Sequence, residues 1–214
     1  IAGSTDGDLD GQTNNGENDD AFISKFSADG EKQWTKLLGS SNADYGNALT
    51  TGSDGSIYII GYTEGDLDGQ PYSGSGDAFI SKFNPDGIKE WTRLLGSSVG
   101  DSGRALTTGL DGSIYIAGST DGDLDGQTNN GENVNAFISK FNPDGSKDWT
   151  KLLGSSSSDY GRALTTGSDG SIYIAVYTIS ELDGQTNNDG SLGVDAFISL
   201  SLIHISEPTR LHGI

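Results

Sequence analysis

The chain has 214 residues and a formal net charge of −19, with 31 acidic and 12 basic residues. This acidic excess repels a phosphate backbone, which argues against nucleic acid as a partner, and no stretch reaches the apolar length of a membrane span. With 33 glycines, an apolar fraction of 32% and no cysteine, the composition suits short strands joined by polar turns and excludes disulfides and thiolate metal sites.

One unit recurs along the chain. Trp34, Trp91 and Trp149 are 57 and 58 residues apart. Around them recur the peptides Ala-Phe-Ile-Ser-Lys-Phe, which begins at residues 21, 78 and 136, and Asp-Gly-Ser-Ile-Tyr-Ile, which begins at residues 54, 111 and 169. A fixed period of this length is typical of solenoids and propellers, so we interpret the chain as an array whose function belongs to the array.

Both ends of the chain break the pattern. Residues 1–5 match residues 116–120, which lie inside a repeat, so we expect the chain to be a fragment whose start lies upstream. After Ser199 the repeat predicts Lys-Phe-Asn-Pro-Asp-Gly, but residues 200–210 resemble the translation of a sequencing-library adapter. We therefore interpret residues 200–214 as a non-native tail, with a natural C-terminal extension as the alternative.

Two hairpins are predicted in each unit, as the one that begins near Gly103 illustrates. Residues 104–108 and 113–117 are β-prone runs on either side of a Gly-Leu-Asp-Gly turn. A long polar loop follows, and then residues 136–141 and 147–153 flank an Asn-Pro-Asp-Gly turn. No segment of useful length shows helical periodicity, so four short strands are predicted per unit.

The second turn explains where its hairpin closes. Pro143 supplies the fixed φ wanted at the second position of a type I turn, and Asp144 tolerates the third. Gly145 takes the left-handed position that completes a bulge. Along the strand before this turn, alternation places Phe137 and Ile138 on opposite faces, so we expect both faces of the sheet to be covered.

Four short strands per unit with apolar residues on both faces are typical of a propeller blade, which neighbouring blades cover front and back. The motifs Gly-x-Ala-Leu-Thr-Thr-Gly-x-Asp-Gly-Ser-Ile-Tyr-Ile-Ala-Gly and Asp-Ala-Phe-Ile-Ser-Lys-Phe-Asn-Pro-Asp-Gly resemble the SBBP repeat of bacterial secreted and surface proteins, named for a seven-bladed β-propeller. The resemblance covers residues 1–199. It implies an all-β fold, an incomplete β-propeller with a partial blade at 1–45, blades at 46–102 and 103–160, and a partial blade at 161–199.

An Asp-rich loop between the two hairpins of a unit fits a calcium-binding formula. Residues 6–17 match D-x-D-x-D-G-x5-E in full. Alternating carboxylates converge on a hard cation, the Gly allows a sharp bend, and the final Glu closes the shell with two oxygens. The predicted Ca²⁺ ligands in the first and third loops are Asp6, Asp8, Asp10, Glu17, Asp121, Asp123, Asp125 and Glu132.

The alternative for these loops is a solvated turn, because Asp, Asn and Gly suit left-handed backbone. The flanking segments are predicted to be strands, so the loop is not an EF-hand. The second loop starts with Glu64 and has Ser75 at the closing position, and the fourth has no Asp at its first position. Calcium is therefore predicted for the first and third loops before the others.

The other candidates are few. Asn47, Arg104 and Arg162 open the first strand of successive units, and this strand lines the central channel, a frequent ligand site, in many propellers. The recurring Trp, Phe, Tyr and Ile positions are interpreted as core packing rather than as an aromatic ligand cage.

The favoured function is a non-enzymatic module of an extracellular or cell-surface bacterial protein, a scaffold for protein or glycan ligands with calcium-stabilised loops. Outside the tail there is no His, no Cys, no nucleophile motif and no Gly-rich phosphate loop, so no catalytic residues are predicted. The alternatives are part of a propeller enzyme (hydrolase, lyase or oxidoreductase) whose catalytic residues lie outside this fragment, and a purely structural array. The predicted partners are neighbouring blades of the same chain and an unidentified protein or glycan.

Overall fold

The computed structural model describes residues 1–129, 133–182 and 195–201. Within these ranges the chain forms strands and no helix, and so no described helix could cross a membrane. The predicted non-native tail lies outside the described residues from position 202 onward. The strands are β1 (Ala2–Thr5), β2 (Asp20–Phe26), β3 (Lys32–Leu38), β4 (Asp44–Thr51), β5 (Ile57–Thr63), β6 (Asp77–Phe83), β7 (Lys89–Leu95), β8 (Asp101–Thr108), β9 (Ile114–Thr120), β10 (Asn135–Phe141), β11 (Lys147–Leu153), β12 (Asp159–Thr166), β13 (Ile172–Thr178) and β14 (Asp195–Ser201).

These strands form four antiparallel sheets that follow one another along the chain. The first contains β1–β3, the second β4–β7, the third β8–β11 and the fourth β12–β14. In every sheet the spatial order of strands equals their chain order, as in the blade of a propeller. The first and fourth sheets share no strand pair among the described residues, so the ring is not closed. The predicted all-β, incomplete β-propeller is confirmed.

The turn between β10 and β11 has the predicted geometry. The Gly145 N–H donates to the Asn142 carbonyl at 2.9 Å, and Gly145 has a φ of 82°. The register shifts between Lys140 and Phe141, which is the expected bulge. The same turn closes the outer hairpins of the first two sheets, where Gly30 and Gly87 have φ values of 84° and 77°.

The first strand of the third sheet is longer than the sequence predicts. β8 begins at Asp101 rather than at Arg104, and its register shifts between Gly103 and Ala105. A Cβ on Gly103 would lie 2.4 Å from Cγ1 of Ile60 in the preceding sheet. Glycine therefore allows β8 to approach Ile60 of β5 closely at this point.

The hydrophobic core lies between consecutive sheets. Three apolar clusters fill the three spaces between the four sheets. Phe137 and Ile138 point to opposite faces of β10 and are 0% and 3% exposed, so both faces of the blade are covered as predicted. Between β10 and β11, the hydroxyls of Ser139 and Thr150 form a buried hydrogen bond of 2.8 Å.

The tryptophans pack between blades. Trp91 lies 6.1 Å from the ring of Tyr58, and its Nε1 donates to the carbonyl of Pro143 in the next blade at 3.3 Å. Arg93 stacks over the same indole at 5.6 Å and donates to the carbonyl of Gly145. These contacts support the interpretation of the recurring aromatic residues as packing residues.

Candidate functional site

A cleft opens where the innermost strands of the second and third sheets meet. Its volume is about 290 Å³, and its walls come from β4, β5 and β8. The lining residues are Tyr45, Asn47, Tyr62, Ser102 and Arg104. Two of the three channel residues predicted from the sequence, Asn47 and Arg104, therefore lie in one cleft, which we call the inner cleft.

Two tyrosines form the wall of the inner cleft on the second sheet. Tyr45 and Tyr62 are cross-strand partners, and their rings stack at 6.2 Å with an interplanar angle of 23°. The Tyr62 hydroxyl donates to Glu64 at 3.0 Å. Burial raises the pKa of Tyr62 to about 12, and the hydrogen bond to Glu64 acts in the same direction. Tyr62 therefore stays a neutral donor in the physiological range.

The two sides of the cleft are tied together by an amide. The Asn47 Nδ2 donates to the carbonyl of Gly103 at 2.7 Å, which joins β4 to β8. Arg104 is exposed in the cleft and supplies a fixed positive charge in a chain of strong negative charge. Together these residues offer ring faces, an amide and a guanidinium to a ligand.

The third predicted channel residue occupies the equivalent place one sheet later. Arg162 stacks over the rings of Tyr160 and Tyr177 at 5.2 and 5.6 Å. The two rings lie 5.7 Å apart in an edge-to-face arrangement. A guanidinium beside a tyrosine pair thus recurs along the inner edge, although in the third sheet serines replace both tyrosines, at Ser102 and Ser119.

The sequence reasoning identified Asn47 and Arg104 of the cleft and missed Ser102 and both tyrosines. The signal was present, since Tyr45 and Tyr160 each lie two residues before a predicted channel residue, on the same strand face. It was missed because recurring aromatic residues in the array are mostly core residues.

The first three Asp-rich loops each contain a tight turn. In the first loop, Leu9 and Gln12 exchange backbone hydrogen bonds of 3.0 and 2.9 Å. Asp10 and Gly11 between them have φ values of 54° and 75°, which is the pattern of a type I′ turn and the reason for the Asp-Gly sequence. The same turn recurs at Leu67–Gln70 and Leu124–Gln127.

In each of the first three loops, the third acidic residue is bound to the outer strand of its own sheet. The Asp10 carboxylate forms an ion pair with Lys32 and accepts a hydrogen bond from the Thr35 hydroxyl. These two donors, Lys32 first, lower the pKa of Asp10. The arrangement recurs in the next two sheets, in which Asp68 binds Lys89 and Thr92, and Asp125 binds Lys147 and Thr150.

The second Asp of the loop accepts a hydrogen bond from within the loop. The Asn14 N–H donates to Oδ1 of Asp8 at 3.0 Å. The Asn129 N–H donates to Oδ1 of Asp123 at 2.8 Å. In the first and third loops, the second and third carboxylates are therefore both engaged by protein donors, as expected for the solvated-turn alternative.

The remaining predicted calcium ligands are at the surface. Asp6, Glu17 and Asp121 are exposed, and Glu132 lies outside the described residues. In the described part of the chain, no three carboxylates converge on one cation position. The described loop carboxylates bind protein donors instead of facing one another, and calcium binding by the loops stays a prediction.

The sequence reasoning also missed a row of buried acids at the strand starts. Asp20, Asp44, Asp77 and Asp101 are the first residues of β2, β4, β6 and β8, and each is at most 2% exposed. Burial raises the pKa of all four carboxyls, to about 6 for Asp77. The signal was their recurrence at the repeat period.

Comparison with known proteins agrees with the repeat architecture. Residues 33–68 and 90–125 match the SBBP family, described as a beta-propeller repeat. Each match runs from the outer strand of one sheet into the Asp-rich loop of the next. The chain therefore contains two segments that match the SBBP β-propeller repeat, and the predicted resemblance is confirmed at these segments.

Two individual proteins are also similar. The Regulatory protein FlaEY of Caulobacter vibrioides (strain ATCC 19089 / CIP 103742 / CB 15) is 29% identical over 162 residues, which cover 70% of this chain and 17% of that protein. The chain thus spans less than a fifth of that relative's length. A crystal structure of a protein of unknown function from Bacteroides caccae is similar over 73% of this chain and 48% of that chain, at 10% identity and a TM-score of 0.39.

Proposed function

We propose that the chain is a non-enzymatic repeat module of a secreted or cell-surface bacterial protein, and that its inner cleft binds a glycan or protein ligand. The observation that carries this proposal is the grouping of Tyr45, Tyr62, Asn47 and Arg104 around one cleft. Ligand sites commonly combine aromatic surfaces with a few convergent polar groups. The name of the relative in Caulobacter, a regulatory protein, is compatible with a module that acts by binding.

The chemistry of the inner cleft favours a glycan over a protein. The nearly parallel rings of Tyr45 and Tyr62 present flat apolar faces, which suit the axial C–H face of a sugar. Asn47 and Arg104 add donors for hydroxyl or carboxylate oxygens. The guanidinium also favours an acidic sugar over a neutral one, because it is the fixed positive charge of the cleft.

The Asp-rich loops enter the proposal as secondary calcium sites. Their sequence fits the calcium formula, but binding requires the carboxylate of Asp10 to leave Lys32 and turn toward Asp8. The variant Lys32→Ala tests this step, because it releases the carboxylate. We expect Lys32→Ala to raise the calcium affinity of the first loop, and an unchanged affinity would contradict calcium binding there.

A ligand screen with a turnover measurement tests the proposed function. The whole chain is applied to immobilised bacterial glycans and to a protein panel, and each positive ligand is titrated by calorimetry. We expect saturable binding of a glycan that is recovered chemically unchanged. Conversion of the bound ligand would support the alternative of a propeller enzyme, and the absence of any saturable ligand would support a purely structural array.

A further inference from the structure

A belt of buried acids runs around one end of the array. Antiparallel pairing aligns Asp44 with Thr63 and Thr63 with Asp77 in the second sheet, so the three residues form one row. The third sheet repeats the row with an Asn in last place. We call this set the acid belt, and its members are Asp20, Asp44, Asp77, Asp101, Asn135 and Asp159, all at most 2% exposed.

Members of the acid belt meet in pairs at the seams between sheets. The Asp44 N–H donates to the Asp19 carbonyl at 2.6 Å, which places Asp44 beside Asp20 across the first seam. The Asp101 N–H donates in the same way to Gly76, beside Asp77, at 2.9 Å.

Each pair surrounds the Gly-Ser that follows the outer strand. At the first seam, the Ser40 N–H and hydroxyl donate to Oδ2 of Asp44 at 2.6 and 2.9 Å. Oδ1 of Asp20 lies against Gly39, where a Cβ would be 1.9 Å from it. The second seam is the same, with Ser97 on Asp101 and Gly96 against Asp77.

Although the hydroxyls of Thr63 and Thr120 act on the carboxyls of Asp44 and Asp101, one oxygen of each belt carboxylate accepts no hydrogen bond of normal geometry. These atoms are Oδ1 of Asp20, Asp44, Asp77, Asp101 and Asp159. None of the ion pairs found among the described residues involves these carboxylates. A buried carboxylate without a countercharge is costly, and here two of them share each of the first two seams.

The third seam is a natural variant of the other two. Asn135 stands at the position that Asp77 occupies one repeat earlier. Asp159 stands at the position of Asp101 and accepts hydrogen bonds from the Ser155 N–H and hydroxyl at 2.7 and 2.8 Å. Neither the Oδ1 nor the Nδ2 atom of Asn135 has a hydrogen-bond partner. The third seam therefore has the same shape and one carboxylate fewer.

We propose that the Asp20/Asp44 and Asp77/Asp101 seams each bind a divalent cation between consecutive blades. The unpartnered oxygens are hard ligands of the kind that Ca²⁺ takes. Two carboxylates neutralise one divalent cation, so occupancy removes the uncompensated charge and joins one blade to the next. The third seam, with a single carboxylate, binds the cation more weakly or not at all.

Calcium titration of the whole chain tests this proposal. After chelation and dialysis, Ca²⁺ is titrated by calorimetry at pH 7, and circular dichroism confirms folding of each variant. We expect Asp20→Asn with Asp77→Asn, which copies the third seam at the first two, to remove two equivalents of bound Ca²⁺. The matched control, Asp29→Asn with Asp86→Asn at exposed turn positions outside the loops and the belt, keeps every equivalent.

A gain of binding provides the second arm. Asn135→Asp restores the acid pair at the third seam, and we expect it to add one equivalent of Ca²⁺ to the wild-type stoichiometry. The proposal is overturned if the wild type binds no Ca²⁺, if the seam variants retain every equivalent, or if Asn135→Asp adds none. Loss of Ca²⁺ only from the loop variant Asp8→Asn with Asp123→Asn would assign the metal to the Asp-rich loops instead.

Discussion

The indole of Trp91 covers Gly145, which belongs to the turn of the next blade. A Cβ on this glycine would lie 2.8 Å from Cδ2 of Trp91. The same contact joins Trp34 to Gly87 one period earlier, at 3.0 Å. Consecutive blades are therefore held in register by a tryptophan of one blade that packs on the turn glycine of the next.

This contact predicts that Gly145→Ala destabilises the chain by about 2–4 kcal/mol. The substitution strains a residue with a φ of 82° and also pushes against Trp91. Gly126→Ala is the matched control, because Gly126 has a φ of 72° and open space at the Cβ position. Urea denaturation should show a loss of about 1 kcal/mol for the control, from backbone strain alone. Equal losses for the two variants would show that the tryptophan contact contributes nothing.

The buried leucine of the Asp-rich loop is predicted to contribute more to the stability of the chain than the ion pair of the loop does. Leu124 is 0% exposed and belongs to the apolar cluster between the second and third sheets. We expect Leu124→Ala to cost about 2–5 kcal/mol. Lys147→Ala removes only a partly exposed ion pair with Asp125 and should cost less than about 1 kcal/mol. A larger decrease in melting temperature for Lys147→Ala than for Leu124→Ala would contradict this ranking.

The buried hydroxyls of Ser139 and Thr150 are predicted to form hydrogen bonds in one direction, from Ser139 to Thr150 and from Thr150 to Asp125. Because the Thr150 hydroxyl donates to Asp125, the Ser139 hydroxyl must be the donor in the bond between them. Thr150→Val leaves Ser139, which is 0% exposed, without its acceptor, and should cost about 1–3 kcal/mol. Thr165→Val at an exposed strand position is the control and should change the free energy of unfolding by less than about 0.5 kcal/mol. Similar changes in the free energy of unfolding for Thr150→Val and Thr165→Val would contradict this hydrogen-bond arrangement.

Stability in the presence of a chelator is predicted to fall as the pH rises from about 4 to about 6. Burial raises the pKa of Asp77 from 3.8, its value in an unfolded chain, to about 6 in the folded chain. Between these two pH values the folded state therefore holds a proton that the unfolded state has released. After allowance for solvent screening the loss is on the order of 2 kcal/mol, and it is nearly complete at about pH 7. Asp10 and Asp54, whose pKa values are lowered, act in the opposite direction below about pH 4.

Thermal melts across this pH range check the prediction, with Asp77→Asn as the comparison. The variant cannot titrate at this position, so its midpoint should vary less between pH 4 and 6 than that of the wild type. A wild-type midpoint that rises over this range would show that the carboxyl is not protonated in the folded chain.

Much of the fold could be predicted from the sequence because its signals are local. Asn142-Pro143-Asp144-Gly145 carries its own turn geometry, and the period of the array follows from three tryptophans. The start of β8 was misplaced, since Asp101, Ser102 and Gly103 resemble turn residues until the neighbouring blade is present to bury them.

The site was harder to predict because its contacts are distant along the chain. Asp10 and Lys32 are 22 residues apart, and nothing in the loop itself indicates that its carboxylate binds a lysine on the outer strand. Asp44 resembles a solvated turn residue, and only the packing of two sheets shows that it is buried. Tyr45, the next residue, was interpreted as a core aromatic because the sequence does not show the cleft that the two sheets form beside it.

The most direct test of the binding proposal is calorimetric titration of the ligand from the screen against inner-cleft variants. We expect Tyr45→Ala and Arg104→Ala each to weaken binding at least tenfold while leaving the thermal midpoint nearly unchanged, since the Arg104 side chain is exposed and Tyr45 is only half-buried. Lys151→Ala, an exposed change on the outer strand, should bind like the wild type. Full affinity in both cleft variants would place the ligand elsewhere and contradict the proposed site.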